Sequence, residues 1–504
     1  MRSAGVTASL ATLLALLVSA PAWGQNDLQP MFYSCLSATG AEVVLPSDPS
    51  YSTASKQANG LYDNLLPLAI VYASTVEDVQ QVVKCAKQYS VHLIPRSGGH
   101  SVMGLSVRQG AVTLDVSRMH AVTVSPDATT ATVQAGAFIG QVYYAAATSS
   151  GGTKGYPGGV CPNVGVGGHL PGGGIGYLTR SYGFACDHIL ALKMVSATGE
   201  VVVADDTQNQ DLLWAACGSG GGSLGVTVEY TVQLVDVPQN VTVWSAFASM
   251  NDAAAIAEYY QSWAPQLPHE MGTFLNLIQK QVIHSGLYLG PADEASRILE
   301  ESNIMELADW LPGSFIPREM PWIQAVALLS NDPYYSKNFS NMATRDHPEG
   351  ALPFASKSKS YNVFSPLPED ALDALVHFAN YTPGGWVAFQ AWGGRMAEIP
   401  ANATAFPWRN AIMNIFYSTS WVPGQASAAT ISSALTYLTQ AQEVLSPYIP
   451  YQASYLNYLD TDLASWPTAY WGDNAPRLQE VKRQYDPTDF FSNELVLTTT
   501  QSLT

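Results

Sequence analysis

Short alternating runs dominate the first half of the chain. "VHLIPR" (91–96), "AVTLDVS" (111–117), "ATVQAG" (131–136) and "VTVEYTVQL" (226–234) predict strands. "LKMVSATGEVVVA" (192–204) predicts a hairpin about Thr198-Gly199. Apolar residues at helical spacing predict a helix over 76–90, with Thr75 as cap and Val79, Val82, Val83 and Ala86 on one face. "IGQVYYAAATS" (139–149) and "DLLWAAC" (211–217) also read as helical. From about 237 the glycine density falls. "NDAAAIAEYYQSWAPQ" (251–266) predicts a helix and "GTFLNLIQ" (272–279) a strand. Residues 361–422 alternate again, 426–445 read as helix, and "NAPRLQEVKRQYDPTDFF" is a helix stopped by Pro487. The pattern is α+β, without repeats or low-complexity tracts.

Length and charge narrow the class. At 504 residues the chain exceeds one hydrophobic core, which predicts two domains. A net charge of −18 argues against nucleic acid and anionic membranes as partners. The opening "MRSAGVTASLATLLALLVSAPAWG" reads as a secretory signal peptide over 1–24, its apolar run too short to span a bilayer. Sequons at Asn240, Asn338, Asn380 and Asn402 agree with a secreted, extracellular glycoprotein, expected to be a monomer.

Five cysteines leave at least one unpaired within the chain. A Cys35–Cys85 disulfide would tie the mature N-terminus to the 76–90 helix. Cys186 and Cys217 are expected as buried free thiols. Cys161 lies among thirteen glycines between 151 and 186.

Three glycine-rich runs carry the candidate chemistry. In "PRSGGHSVMG" (95–104), adjacent glycines let successive backbone N–H groups face one concavity and hold a phosphate, with Arg96 and Ser97 as further donors. The second run, 155–176, holds Cys161 near its start and His169 within it. The third, "GSGGGSLG", matches G-x-G-x-x-G at Gly220, Gly222 and Gly225. It runs helix, loop, strand, the reverse of a nicotinamide-binding fingerprint, so that reading is rejected.

Five ordered motifs, "RSGGHSVMG", "GGVCPNVGVGGHLPGGGIGYLTRSYGFACDHI", "DLLWAACGSGGGSLGVTVEY", "YLNYLD" and "YWGDNAPRLQEVKRQYDPTDFF", resemble the berberine bridge enzyme-like branch of the vanillyl-alcohol oxidase (p-cresol methylhydroxylase) flavoproteins. In motif the chain is nearest to fungal oligosaccharide oxidases. The resemblance implies an FAD domain over 25–236, a substrate domain with an antiparallel sheet and helices over 237–450, and a segment 451–504 returning to the FAD domain. It further implies that FAD is bonded twice, His100 to the 8α-methyl carbon and Cys161 to C6. A backbone-bonded loop histidine and a buried free thiol are the structural alternatives. Arg96, Ser97, Gly98, Gly99, Ser101, Gly104, Val164, Gly165, Gly168, His169, Gly173, Gly176, Val226 and Asn457 are the further cofactor contacts it implies.

Oligosaccharide oxidases take the proton of a sugar hydroxyl with the tyrosine of an "NY" pair, here Asn457-Tyr458. Their assisting aspartate is replaced by Gln390, which can orient but not accept a proton. A tyrosine beside the histidine loop is replaced by Val102, while Trp386 keeps an aromatic platform. Val164, three residues past the flavin cysteine, is the residue this branch associates with oxygen access. The implied enzyme is an FAD-dependent oxidase that transfers hydride from an alcohol C–H, first a carbohydrate, to the flavin and passes the electrons to dioxygen as hydrogen peroxide. Alternatives are the same chemistry on a phenolic or secondary-metabolite alcohol, or a flavin carrier with little activity. No metal-ligand spacing is present.

Overall fold

The computed structural model describes residues 28–278, 280–347, 354–493 and 495–503. The signal-peptide expectation falls outside them. Helix Val76–Gln88 begins with the reciprocal Thr75–Asp78 capping box, and Val79, Val82, Val83 and Ala86 are buried. Cys35 is bonded to Cys85 at 2.02 Å, so the first helix, Leu28–Ser37, is stapled to that packed face. The hairpin turns at Gly199, φ 78°, between strands Ile189–Val195 and Val201–Ala204.

Two larger sheets and a two-stranded pair, Lys154–Gly155 with Val235–Asp236, form the first half. A four-stranded mixed sheet has the order Glu42–Val44, Ala69–Tyr72, Val112–Asp115, Leu93–Arg96, the last three mutually parallel. A five-stranded antiparallel sheet follows, ordered Val122–Val124, Thr130–Gln134, Val226–Gln233, Ile189–Val195, Val201–Ala204. The first glycine run leaves the end of Leu93–Arg96 and the third leads into Val226–Gln233.

The second half is one seven-stranded antiparallel sheet: Arg318–Pro321, Asn240–Ser249, Gln281–Tyr288, Met271–Ile278, Trp386–Ala391, Met413–Trp421, Ala355–Val363. Helices Ala253–Trp263, Glu369–Tyr381 and Ala428–Leu445 cover one face. Period-two alternation sends Val387 and Phe389 to these helices, where Phe389 meets Tyr260. Trp386, Ala388 and Gln390 therefore project from the opposite face.

The last segment reaches back to the first half. Trp471 Nε1 donates to Gly218 O at 2.6 Å, and Lys482 Nζ donates to Ser223 O at 2.6 Å. Lys482 also pairs with buried Asp486, so its charge is compensated where it is desolvated.

One expectation is corrected. Cys186 and Cys217 are not free thiols but a disulfide, S–S 1.99 Å. The third glycine run folds onto the second, with the Gly218 and Gly220 N–H groups both donating to Pro171 O, and this carries Cys217 to Cys186. Thirty-one residues of separation gave no sign of that contact. Cys161 is left as the free cysteine among the described residues.

Candidate active site

The first glycine run leaves strand Leu93–Arg96 and turns at Gly99, φ 65°. Among the described residues, the backbone N–H groups of Gly98, Gly99, His100 and Ser101 have no protein acceptor. The loop is held from outside instead: Ala58 N–H donates to Gly99 O, and Asn59 Nδ2 to Val102 O at 2.8 Å. Asn59 also bonds Ser356, which places Val102 beside the edge strand of the large sheet. Arg96 and Ser97 turn their side chains to the scaffold. Arg96 pairs with Asp115 at 2.5 Å and donates to Ala54 O, while Ser97 Oγ donates to Ala135 O at 2.6 Å. The loop's contribution is its backbone.

The second run touches the first. A Cβ on Gly165 would lie 2.3 Å from Gly98 N, so only glycines permit this approach. His100 and Cys161 are both solvent-accessible. Protein nevertheless crowds them from the other sides, and burial lowers the His100 pKa and raises that of the Cys161 thiol, with Asp332 adding to the latter. Val164 N–H closes a turn onto Cys161 O, and Gly168 N–H bonds Gly165 O. Gly173 N–H donates to Leu170 O and Gly176 N–H to Thr179 Oγ1. Val226 is buried at the start of its strand.

His169 accepts from Gly159 N–H at Nε2, which leaves its proton on Nδ1. Burial, reinforced by His100, holds its pKa down to about 4, so the ring is neutral. Asn457 Nδ2 donates to His169 O and to Tyr455 Oη, both at 2.9 Å, locking the C-terminal segment onto the second run.

Tyr458 follows Asn457 and sits over the large sheet. Gln390 Nε2 donates to its phenol oxygen at 3.1 Å. Burial pushes the Tyr458 pKa up to about 12; the Gln390 bond opposes this and proximity to Cys161 adds to it. The phenol is therefore neutral in the folded protein at pH 7. Its ring lies 4.5 Å from Phe416, which in turn lies 5.1 Å from Trp386. Trp386 Nε1 donates to Asn276 Oδ1 at 3.0 Å.

Strand register reveals residues that the motifs missed. Gln390 stands opposite Asn414, and Asn414 opposite Asn362, forming a row of amides across three strands. Gln390 Oε1, Asn414 Oδ1 and Asn362 Nδ2 are buried without hydrogen-bond partners. On the other side of Gln390 is Phe274, stacked at 4.5 Å on Tyr177, which directly follows the second glycine run. Alternation in 361–422 hinted at the strands, but which residues stand side by side depends on register.

The first-half sequence matches the model of an FAD binding domain over residues 67–205, and the last segment matches the berberine and berberine-like model over 454–496. Berberine bridge enzyme-like 5 of Arabidopsis thaliana is 32% identical over 498 residues, covering 92% of this chain and 90% of the relative. The chain belongs to the berberine bridge enzyme-like FAD-linked oxidoreductases. A Bacillus subtilis relative, the uncharacterized FAD-linked oxidoreductase YvdP, is 31% identical, covering 89% of this chain and 96% of the relative. Among solved structures, Physcomitrella patens BBE-like 1 superposes with TM-score 0.84 at 28% identity, covering 94% of this chain and all of that one. Phl p 4, a grass pollen allergen with glucose dehydrogenase activity, superposes with TM-score 0.83 at 28% identity, covering 92% of this chain and 98% of that one. The two-domain FAD-oxidoreductase fold is thereby established.

The residues present fit FAD. Four backbone donors without acceptors suit a pyrophosphate, and the two touching glycine runs present a solvent-accessible imidazole and thiol.

Proposed function

We propose that this protein is a secreted oxidase that holds FAD through two covalent bonds and oxidises the alcohol carbon of a carbohydrate. The observation that carries the substrate class is Gln390 Oε1, which lacks a hydrogen-bond partner beside Tyr458 and the Trp386–Phe416 wall, at the end of a row whose other two amides, Asn414 and Asn362, are fully enclosed. Leaving such an atom unpaired costs about 1–3 kcal/mol, and a hydroxyl of a polyhydroxylated ligand can supply the missing bond.

Bound FAD would accept the hydride and return the electrons to dioxygen as hydrogen peroxide. The amides of Gly98 to Ser101 would hold its pyrophosphate, and His100 and Cys161 would tether its ring. Tyr458 Oη would take the hydroxyl proton. Gln390 keeps that oxygen in place and, as a donor, favours the phenolate. Gln390 Oε1 is free to accept from a neighbouring substrate hydroxyl. Trp386, anchored by Asn276, gives a face on which a pyranose can rest. Val164, in the turn with Cys161, would govern the approach of dioxygen. Exposed Asn240, Asn338 and Asn402, with half-buried Asn380, are the glycosylation sites of this reading.

Glucose dehydrogenase activity of Phl p 4, and a variant of it described as a glucose oxidase, support the sugar class. A second reading, oxidation of a phenolic alcohol, is favoured by the aromatic pair Phe274–Tyr177 and by Val102. Anaerobic mixing with mono- and oligosaccharides and with aromatic alcohols tests both. Bleaching of the flavin by sugars alone supports the first reading, bleaching by aromatic alcohols alone the second, and none by either class a flavin carrier.

A further inference from the structure

Five lysine and arginine side chains are buried among the described residues. Arg96, Arg409, Lys359 and Lys482 each meet a carboxylate: Asp115, Asp187, Asp460 and Asp486. Arg180 meets none. It is 1% exposed, in helix Thr179–Tyr182 directly after the second glycine run.

Its partners are backbone carbonyls of the other half of the molecule. Nε donates to Met271 O at 3.1 Å, Nη1 to Trp392 O, and Nη2 to Leu267 O at 2.5 Å and Pro265 O at 3.3 Å. The chain beyond Trp392 is shaped to this contact. Gly393 and Gly394 have φ of 89° and 56°, and a Cβ on Gly394 would lie 2.4 Å from Arg180 O. The glycine pair lets the strand end close onto Arg180.

Both sides of this joint lead directly to the site. Three residues before Arg180, Tyr177 stacks on Phe274 and its hydroxyl lies 2.8 Å from Ser285 Oγ. Two residues before Trp392, near the end of strand Trp386–Ala391, stands Gln390. The planar guanidinium grips four carbonyls at fixed angles, which an ammonium point charge cannot do.

We propose that Arg180 is a positioning residue: it fixes the separation between the second glycine run and the sheet face carrying Gln390. This rests on the proposed function, in which the flavin is held by the first half and the substrate by the second. A displacement of about 1 Å between reacting groups can cost about a hundredfold in rate. Substrate affinity should be spared, because Trp386, Gln390 and Tyr458 all lie outside the first half.

The test uses the flavin-loaded, secreted protein as wild type, Arg180→Lys and Arg180→Met. Anaerobic stopped-flow gives the limiting rate of flavin reduction and the apparent Kd, and visible circular dichroism reports the setting of the flavin. The expected result is at least a tenfold lower limiting rate, a Kd within about threefold, and an altered dichroism band. A wild-type rate with only a lower Tm would overturn the proposal, as would weaker binding at an unchanged rate. Where Arg180→Met does not fold, Arg180→Lys carries the test. Should no alcohol reduce the wild type, the functional reading fails on its own, and an unchanged dichroism band in the variants would then overturn the role of Arg180.

Discussion

The amide of Gln390 donates to the phenol oxygen of Tyr458 across 3.1 Å, linking the large sheet to the C-terminal segment at the point where a substrate hydroxyl would be deprotonated. An acceptor-only group in place of that amide would act in the opposite sense. Replacing Gln390 with Glu removes the donor and sets a negative charge beside the developing phenolate, so the Tyr458 pKa rises. The pH profile of flavin reduction should move to higher pH by at least about one unit. A shift to lower pH would contradict the assigned polarity of this hydrogen bond.

Tyr458 titrates far above neutrality, its pKa pushed up to about 12 by burial. Only the phenolate accepts a proton, so its fraction grows as pH rises. Flavin reduction in wild type should therefore climb about tenfold per pH unit through the neutral and alkaline range. Tyr458→Phe should lower the rate by roughly 10²–10⁴ and flatten the profile. A flat wild-type profile would remove Tyr458 as the base.

Val164 lies in the turn that returns to Cys161 O. Enlarging it to Ile adds a methylene at the expected route of dioxygen. Reoxidation of the reduced protein by air should slow by at least about tenfold, with flavin reduction by substrate unchanged, since steric exclusion acts on one half-reaction only. Equal slowing of both half-reactions would point to a distorted flavin site.

Two buried histidines predict how stability depends on pH. Burial depresses the pKa of His284 to about 3 and that of His169 to about 4, against 6.5 when unfolded. The unfolded chain thus binds more protons between those values, so stability is full above pH 6.5 and falls as pH drops toward 4. Each histidine contributes a slope of up to about 1.4 kcal/mol per pH unit. His284 accepts from Trp244 Nε1 at 3.3 Å, and His284→Asn should make the acid limb of the Tm profile shallower. An unchanged limb would place the acid sensitivity elsewhere.

Period-two runs and the Thr75 cap marked elements that the structure contains, because such patterns report locally on which face is buried. The NY pair and Gln390 were legible as residue types, and the structure brings them to one place. What the sequence could not carry was adjacency across strands. Asn414, Phe416 and Phe274 join the site through antiparallel register, and Cys217 reaches Cys186 because two glycine runs stack. Arg180 escaped notice for the same reason: its four partners are carbonyls, and carbonyls leave no mark in a sequence.

The double attachment of the flavin is tested most directly on the purified protein after acid precipitation and proteolysis. The account predicts colour retained in the pellet and flavin bonded to peptides containing His100 and Cys161. Flavin released into the supernatant from folded, fully loaded protein would contradict it.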